Sequence, residues 1–308
     1  MAERLVWTPA DGSPDIDLTD EEAGYSWEAE GTRGLRSVTY AFASQSYAGI
    51  DGEDVQAVRA EANRPSVGML LQASSEAELR TRARRLVHAM RPKAGPGTLT
   101  VTTEDGESRR LTCYVEGGLE GDESDTTTMP GRWWKFVLKL YAPKPWWVGD
   151  ERVVNFGLAA PSVFLSATLP FPRTLSSSTI QGQQTIDLSD ADAPSYPVWT
   201  ITGPGAGLVL SRTTTDPKTR KKTTRVIQVN TTIGDGQTLV IDTRRGHQAV
   251  YRGDLPVTDP GWNRMGSVVS DPALWPLIEG VNEVSAVLGA AGAKARISGR
   301  FEPMFAGV

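Results

Sequence analysis

The chain holds one cysteine and two histidines in 308 residues. A single cysteine excludes an intramolecular disulfide and a cysteine-based metal cluster. Cys113 lies in Leu-Thr-Cys-Tyr-Val, in phase with Leu111 and Val115, so it reads as a core-facing strand residue behaving as a small hydrophobe. With only His88 and His247, there is little material for a metal site or a histidine proton relay. Long apolar runs are missing too: hydrophobic content is 39%, and no stretch reaches the roughly 18 residues that span a bilayer. The N-terminal Met-Ala-Glu-Arg-Leu-Val-Trp lacks a charged region followed by an apolar core and a cleavage site, so no secretory signal is visible. The net charge of −5 is mild and speaks against a specific nucleic-acid binder, which needs a strongly basic face.

What is present is β-rich and long enough for two cores. A chain of this length exceeds one comfortable core, and two domains of about 150 residues are expected. Residues 132–148, Arg-Trp-Trp-Lys-Phe-Val-Leu-Lys-Leu-Tyr-Ala-Pro-Lys-Pro-Trp-Trp-Val, mark the division. Trp134, Phe136, Leu138 and Leu140 share one face at the two-residue period of a strand, and Trp133, Lys135, Val137 and Lys139 share the other. Pro143 and Pro145 cannot donate to a central ladder, so the strand stops there. The bulk of Trp146 and Trp147 then needs cover from the next domain or another chain.

In the first half, Tyr25–Trp27, Ser37–Phe42 and Pro65–Gln72 have strand composition. One helix follows. Ser75 and Glu78 form a capping-box pattern, and Leu79, Ala83, Leu86, Val87 and Met90 recur at helical spacing before Pro92 and Gly95. Its other face carries Arg80, Arg82, Arg84, Arg85 and Arg91, with Glu76 and Glu78 placed to pair with Arg80 and Arg82. A hairpin turning at Glu104-Asp-Gly-Glu107 joins strands around Leu99–Val101 and 109–115. Residues 117–131 are an acidic connection rich in Gly and Thr, and loops of this length are usually mobile or functional. The second half reads as a sandwich of short strands, over 197–202, 207–213, 223–229, 238–242, 248–252, 282–288 and 293–301.

Catalytic chemistry finds little footing. Ser195 or Ser176 could be drawn with His247 and a distant Asp, but no Gly-x-Ser-x-Gly elbow supports a triad. Gly203-Pro-Gly-Ala-Gly207 leads into the strand-like Leu208-Val-Leu, whereas a phosphate cradle needs a helix N-terminus there. Asp122, Glu123 and Asp125 lie in a polar loop with nothing apolar to split their pKa values into an acid and a base. Lys218-Thr-Arg-Lys-Lys222 is most simply a solvated hairpin tip, and its functional reading is contact with an acidic partner. The arginines of the helix carry the same two readings. No cofactor, metal or catalytic residue is assigned.

The order of features resembles the distal tail proteins of long-tailed, siphovirus-type bacteriophages. Carrying it are Arg110-Leu111 after the Thr-Glu-Asp-Gly hairpin, the strand ending in Tyr141-Ala-Pro-Lys-Pro-Trp-Trp147, and Ala191-Asp-Ala-Pro-Ser-Tyr-Pro-Val-Trp-Thr-Ile-Thr-Gly203. Ile241-Asp-Thr-Arg-Arg-Gly246 and Leu274-Trp-Pro-Leu-Ile-Glu-Gly-Val-Asn282 extend it over nearly the whole chain. The resemblance implies a mainly β protein: over 1–150 a tail-tube-like β-sandwich or barrel with one packed helix, and over 151–308 a galectin-like β-sandwich. It implies six copies in a ring at the distal end of the virion tail, made in the host cytoplasm. That ring would join the tail tube protein to the tape-measure, tail-tip and baseplate proteins. The carbohydrate-binding insertion of some relatives is not evident.

For a ring subunit, the contacts expected between copies are Trp146, Trp147 and the 117–131 loop with Asp122, Glu123 and Asp125. Charged contacts are expected from Arg80 and Arg84 on the helix and from Lys221 and Lys222 at the hairpin tip. Each interface would bury on the order of 1,600 Å². The alternative is a carbohydrate-binding module or accessory receptor-binding protein, motivated by Trp199, Trp262 and Trp275. Trp199 alternates within a strand and Trp275 sits beside Pro276, as core residues would.

Overall fold

The computed structural model describes residues 3–49, 51–120, 128–129, 132–157, 179–216, 218–255 and 274–308, with 128–129 described by backbone alone. They form two compact units, Met1–Asp150 with Phe305–Val308, and Glu151–Met304. The last four residues therefore belong with the first unit and not, as the boundary 151–308 has it, with the second.

The first unit contains β1 (Arg4–Thr8), β2 (Ile16–Asp17), β3 (Tyr25–Arg33), β4 (Tyr40–Gln45), β5 (Asp54–Ala60), β6 (Ser66–Gln72), α1 (Glu76–Ala89), β7 (Gly97–Thr102), β8 (Ser108–Gly117), β9 (Thr128–Met129), β10 (Trp133–Tyr141) and β11 (Trp147–Val148). Its main sheet runs in the order β2-β1-β7-β8-β10-β6-β3. β8 joins two stretches of this path, since Ser108–Cys113 pairs with β7 and Tyr114–Gly117 with β10. β10 alternates as its sequence demands: Trp134, Phe136, Leu138 and Leu140 are buried, while Val137 and Lys139 are exposed.

The helix covers this core for reasons visible in its sequence. Ser75 caps it, its hydroxyl accepting from the Glu78 amide at 3.3 Å. The Glu78 carboxylate reaches back to the Ser74 amide and hydroxyl, one residue beyond the usual box. Leu79, Leu86, Ala89 and Met90 are buried, and the Trp7 indole donates to the Ala89 carbonyl at 3.1 Å, satisfying one of the helix's last acceptors. Val87, expected in the core stripe, is exposed. One residue past Leu86 turns it about 100° away from the buried face.

The second unit contains β12 (Arg152–Gly157), β13 (Ile180–Leu188), β14 (Val198–Thr202), β15 (Gly205–Thr215), β16 (Lys222–Ile233), β17 (Thr238–Asp242), β18 (Ala249–Arg252), β19 (Gly280–Gly289) and β20 (Arg296–Phe301). β12-β20-β14-β17-β18 form one sheet and β13-β19-β15-β16 the other. Phe156, Trp199, Ile241 and Ile297 of the first sheet share a single core with Ile180, Leu210, Ile227 and Val284 of the second, so the unit is a β-sandwich. Trp199 lies directly opposite Gly299, where a Cβ would stand 2.4 Å from its ring. A last short strand, β21 (Met304–Phe305), ends in Phe305, which joins the first unit's core.

Candidate functional site

Among the described residues, the most exposed large apolar side chains cluster on the hairpin of β4 and β5. Tyr40 is opposite Ala60, Phe42 opposite Val58 and Ser44 opposite Val55, so these residues share one face. Phe42 is 63% exposed, Val55 55%, Val58 54% and Tyr40 44%. Ala41, Ala43, Ala57 and Arg59 line the other face. Among the described residues, the two strands pair only with each other.

The base of this hairpin is held firmly. Leu35 and Val38 are buried on the way in, and the Glu61 amide bonds to the Thr39 carbonyl at 2.8 Å. Buried Asn63 exchanges backbone bonds with Ala142 at 3.0 and 2.8 Å, and its side chain donates to the Gly34 carbonyl. A two-stranded ribbon with no third strand is marginal in water. An apolar ribbon on a rigid base is a surface for docking.

The residues singled out from sequence fall into different places. Trp147 is 0% exposed and sits among the first unit's own core residues, which corrects its assignment to an interface. The chain turns back after Pro145, and β11 pairs with β8 at Val148 and Arg110, carrying Trp147 inward. Trp146 is half-buried. Arg80 is exposed and pairs with Glu76 at 2.5 Å, and Arg84 is exposed. Arg82 folds back onto Glu78 at 2.6 Å and the Gln72 carbonyl at 2.8 Å, so it supports the fold. Lys221 and Lys222 are exposed at the β15–β16 turn. Asp122, Glu123, Asp125 and Trp262 lie outside the described residues, as does Ser176.

The reactive groups are dispersed. Ser195 is fully buried beside Leu277, and His247 is exposed in the turn after β17. His88 sits 4.0 Å from Asp11 and is bonded by Arg91. Burial pushes the Cys113 thiol up to about 12, so it carries no thiolate near neutral pH. Among the described residues, no three His, Cys, Asp or Glu side chains converge to hold a metal ion. Trp199 and Trp275 are buried and pack edge-on at 6.0 Å, leaving neither face free to stack on a sugar.

Sequence comparison yields no matching family model and no matching curated protein. Among solved structures, the Dit protein of phage SPP1 matches with a TM-score of 0.63 and 16% identity, over 98% of this chain and 99% of that one. The chain shares that fold. SPP1 Dit is described as a paradigm of the hub of the adsorption apparatus in phages that infect Gram-positive bacteria. A chain of the phage P2 baseplate in its activated conformation matches with a TM-score of 0.46 and 11% identity, over 97% of this chain and 98% of that one.

The hairpin was not legible in advance as a surface. Its first strand is expected at Ser37–Phe42, but β5, Asp-Val-Gln-Ala-Val-Arg-Ala, lacks the sustained alternation that marks a half-buried strand. The usable signal is Tyr40, Phe42, Val55 and Val58 flanking the turn glycines Gly49 and Gly52.

Proposed function

We propose that this protein is a non-enzymatic structural subunit of a bacteriophage tail, a distal tail protein whose copies form a ring joining the tail tube to the tip or baseplate. The observation that carries this reading is the fold shared with SPP1 Dit along essentially the full length of both chains. The order of sequence motifs, from Tyr141–Trp147 to Leu274–Asn282, points the same way. In this reading the ring has six copies, and its neighbours are the tail tube, tape-measure and tail-tip or host-recognition proteins. The protein is made in the host cytoplasm and ends in the virion tail. The second unit's sandwich is read as galectin-like.

The exposed β4–β5 hairpin supplies the contact such a ring needs. Its Tyr40, Phe42, Val55 and Val58 face packs on a neighbouring copy, adding strands or apolar cover to a ribbon that lacks both. Half-buried Trp146 and exposed Arg80 and Arg84 are further candidates for contact between copies or with neighbours. Negative-stain imaging of the purified protein, alone and beside its tube protein, tests the reading. Annular particles with a central opening support it, and isolated single subunits in both preparations contradict it.

A further inference from the structure

The second unit carries a cationic hairpin tip, which holds the Lys221 and Lys222 expected from sequence to make charged contacts. Lys218, Arg220, Lys221, Lys222 and Arg225 are all exposed, and among the described residues none forms an ion pair. Asp216, the carboxylate next to the tip in sequence, is committed to its own turn, accepting from the Lys218 amide at 2.8 Å and the Thr219 amide at 3.0 Å. Those bonds hold its carboxyl below the usual range. Arg220 occupies a left-handed backbone position, φ 57°, where glycine or asparagine is easier to accommodate.

Two further features sharpen the picture. Arg225 lies directly opposite Arg212 on β15, and like charges placed so oppose each other. Arg212 is 6% exposed, its guanidinium near the Trp275 ring and bonded to the Pro276 carbonyl, with no carboxylate beside it among the described residues. An incoming negative group relieves this repulsion. β16 is also the last strand of its sheet among the described residues, so it presents a row of unpaired backbone groups beside the cations. The ladder beneath is stiffened by the Thr213–Thr224 hydroxyl bond at 2.9 Å.

We infer that the tip and outer edge of β16, from Lys218 to Arg225, bind an extended acidic segment of a partner protein. The segment adds as a strand beside β16 and sets its carboxylates against Lys218, Lys221, Lys222 and Arg225. Main-chain bonds supply register and the charges supply selectivity. A polypeptide fits better than a phosphate polymer because only a polypeptide satisfies the strand edge and the cations together.

The test uses the full chain and three probes: a fluorescent oligoglutamate peptide, the same peptide N-methylated at alternate residues, and inorganic polyphosphate. The expected result is salt-sensitive binding of the first probe. It weakens about tenfold or more on Lys221→Glu with Lys222→Glu, and on N-methylation. Both lysines are exposed, so circular dichroism of the variant should match the parent. Unchanged binding by the variant, or equal binding of the N-methylated peptide or polyphosphate, overturns the inference. So does self-association of the protein that this charge reversal abolishes, since it assigns the edge to a second copy.

Discussion

The guanidinium of Arg109 lies 4.0 Å from the centre of the Phe305 ring, and its Nη1 donates to the Gly307 carbonyl at 2.6 Å. Arg109 belongs to β8 and pairs across to Val101, so the end of the chain is clasped by a central strand of the first unit. The Val308 amide adds a bond to the Leu35 carbonyl. A Cβ on Gly307 would stand 2.2 Å from the Arg36 backbone, so the tail fits closely enough to exclude any side chain there.

This clasp predicts that Phe305→Ala destabilises the first unit by about 3–5 kcal/mol, the usual cost of emptying a buried aromatic site. Calorimetry should show the first unit's transition fall while the second's stays. A loss confined to the second unit would contradict the placement of the last four residues.

Trp147 is predicted to behave as a core residue. Trp147→Ala should cost the first unit about 3–5 kcal/mol, measured by urea denaturation followed in the far ultraviolet. Normal stability with lost assembly would instead return Trp147 to a surface role.

The core of the second unit offers a steric test. Trp199 covers Gly299, and Gly299→Ala places a methyl group 2.4 Å from the ring. The expected cost is about 1–3 kcal/mol from overpacking, read as a lower melting temperature of that unit. An unchanged melting temperature would mean that the ring moves aside freely.

Acid should weaken the second unit through Asp242. Burial raises its carboxyl, but Arg244 outweighs that, donating from its amide at 2.9 Å and from its guanidinium at 3.0, 3.1 and 2.7 Å, and holds it below the usual range. Because the folded value is depressed, the stability from this pair is full above the unfolded value of about 3.9 and is lost as pH falls through the folded one. Asp242→Asn should therefore destabilise at neutral pH, with the difference from the parent shrinking as the solution is acidified. A difference independent of pH would remove the ion pair from the account.

Much of this architecture was legible because it obeys local rules. The alternation of Trp134 to Leu140, the Ser75 cap and the turn glycines of the second half each name an element by period or by conformational need. Besides the two-residue strands β2, β9, β11 and β21, four longer strands escaped for a physical reason. β1, β5, β12 and β13 are short, polar on one face or glutamine-rich, and β1, β12 and β13 are held in place by β7, β20 and β19, which are distant in sequence. Trp147 was misplaced because burial depends on where β11 turns, which a two-residue strand does not declare. The return of Phe305 to the first core is likewise invisible until its partner Arg109 is in place.

The central claim is that this protein acts by adhesion between copies, with the β4–β5 hairpin as the contact. Native mass spectrometry of the parent beside Phe42→Ser with Val58→Ser tests it most directly. Both residues are more than half exposed, so the variant's stability should stay within about 0.5 kcal/mol of the parent. The account predicts a closed oligomer for the parent and mainly single chains for the variant. A parent that stays monomeric at every concentration, or a variant that assembles as the parent does, would contradict it.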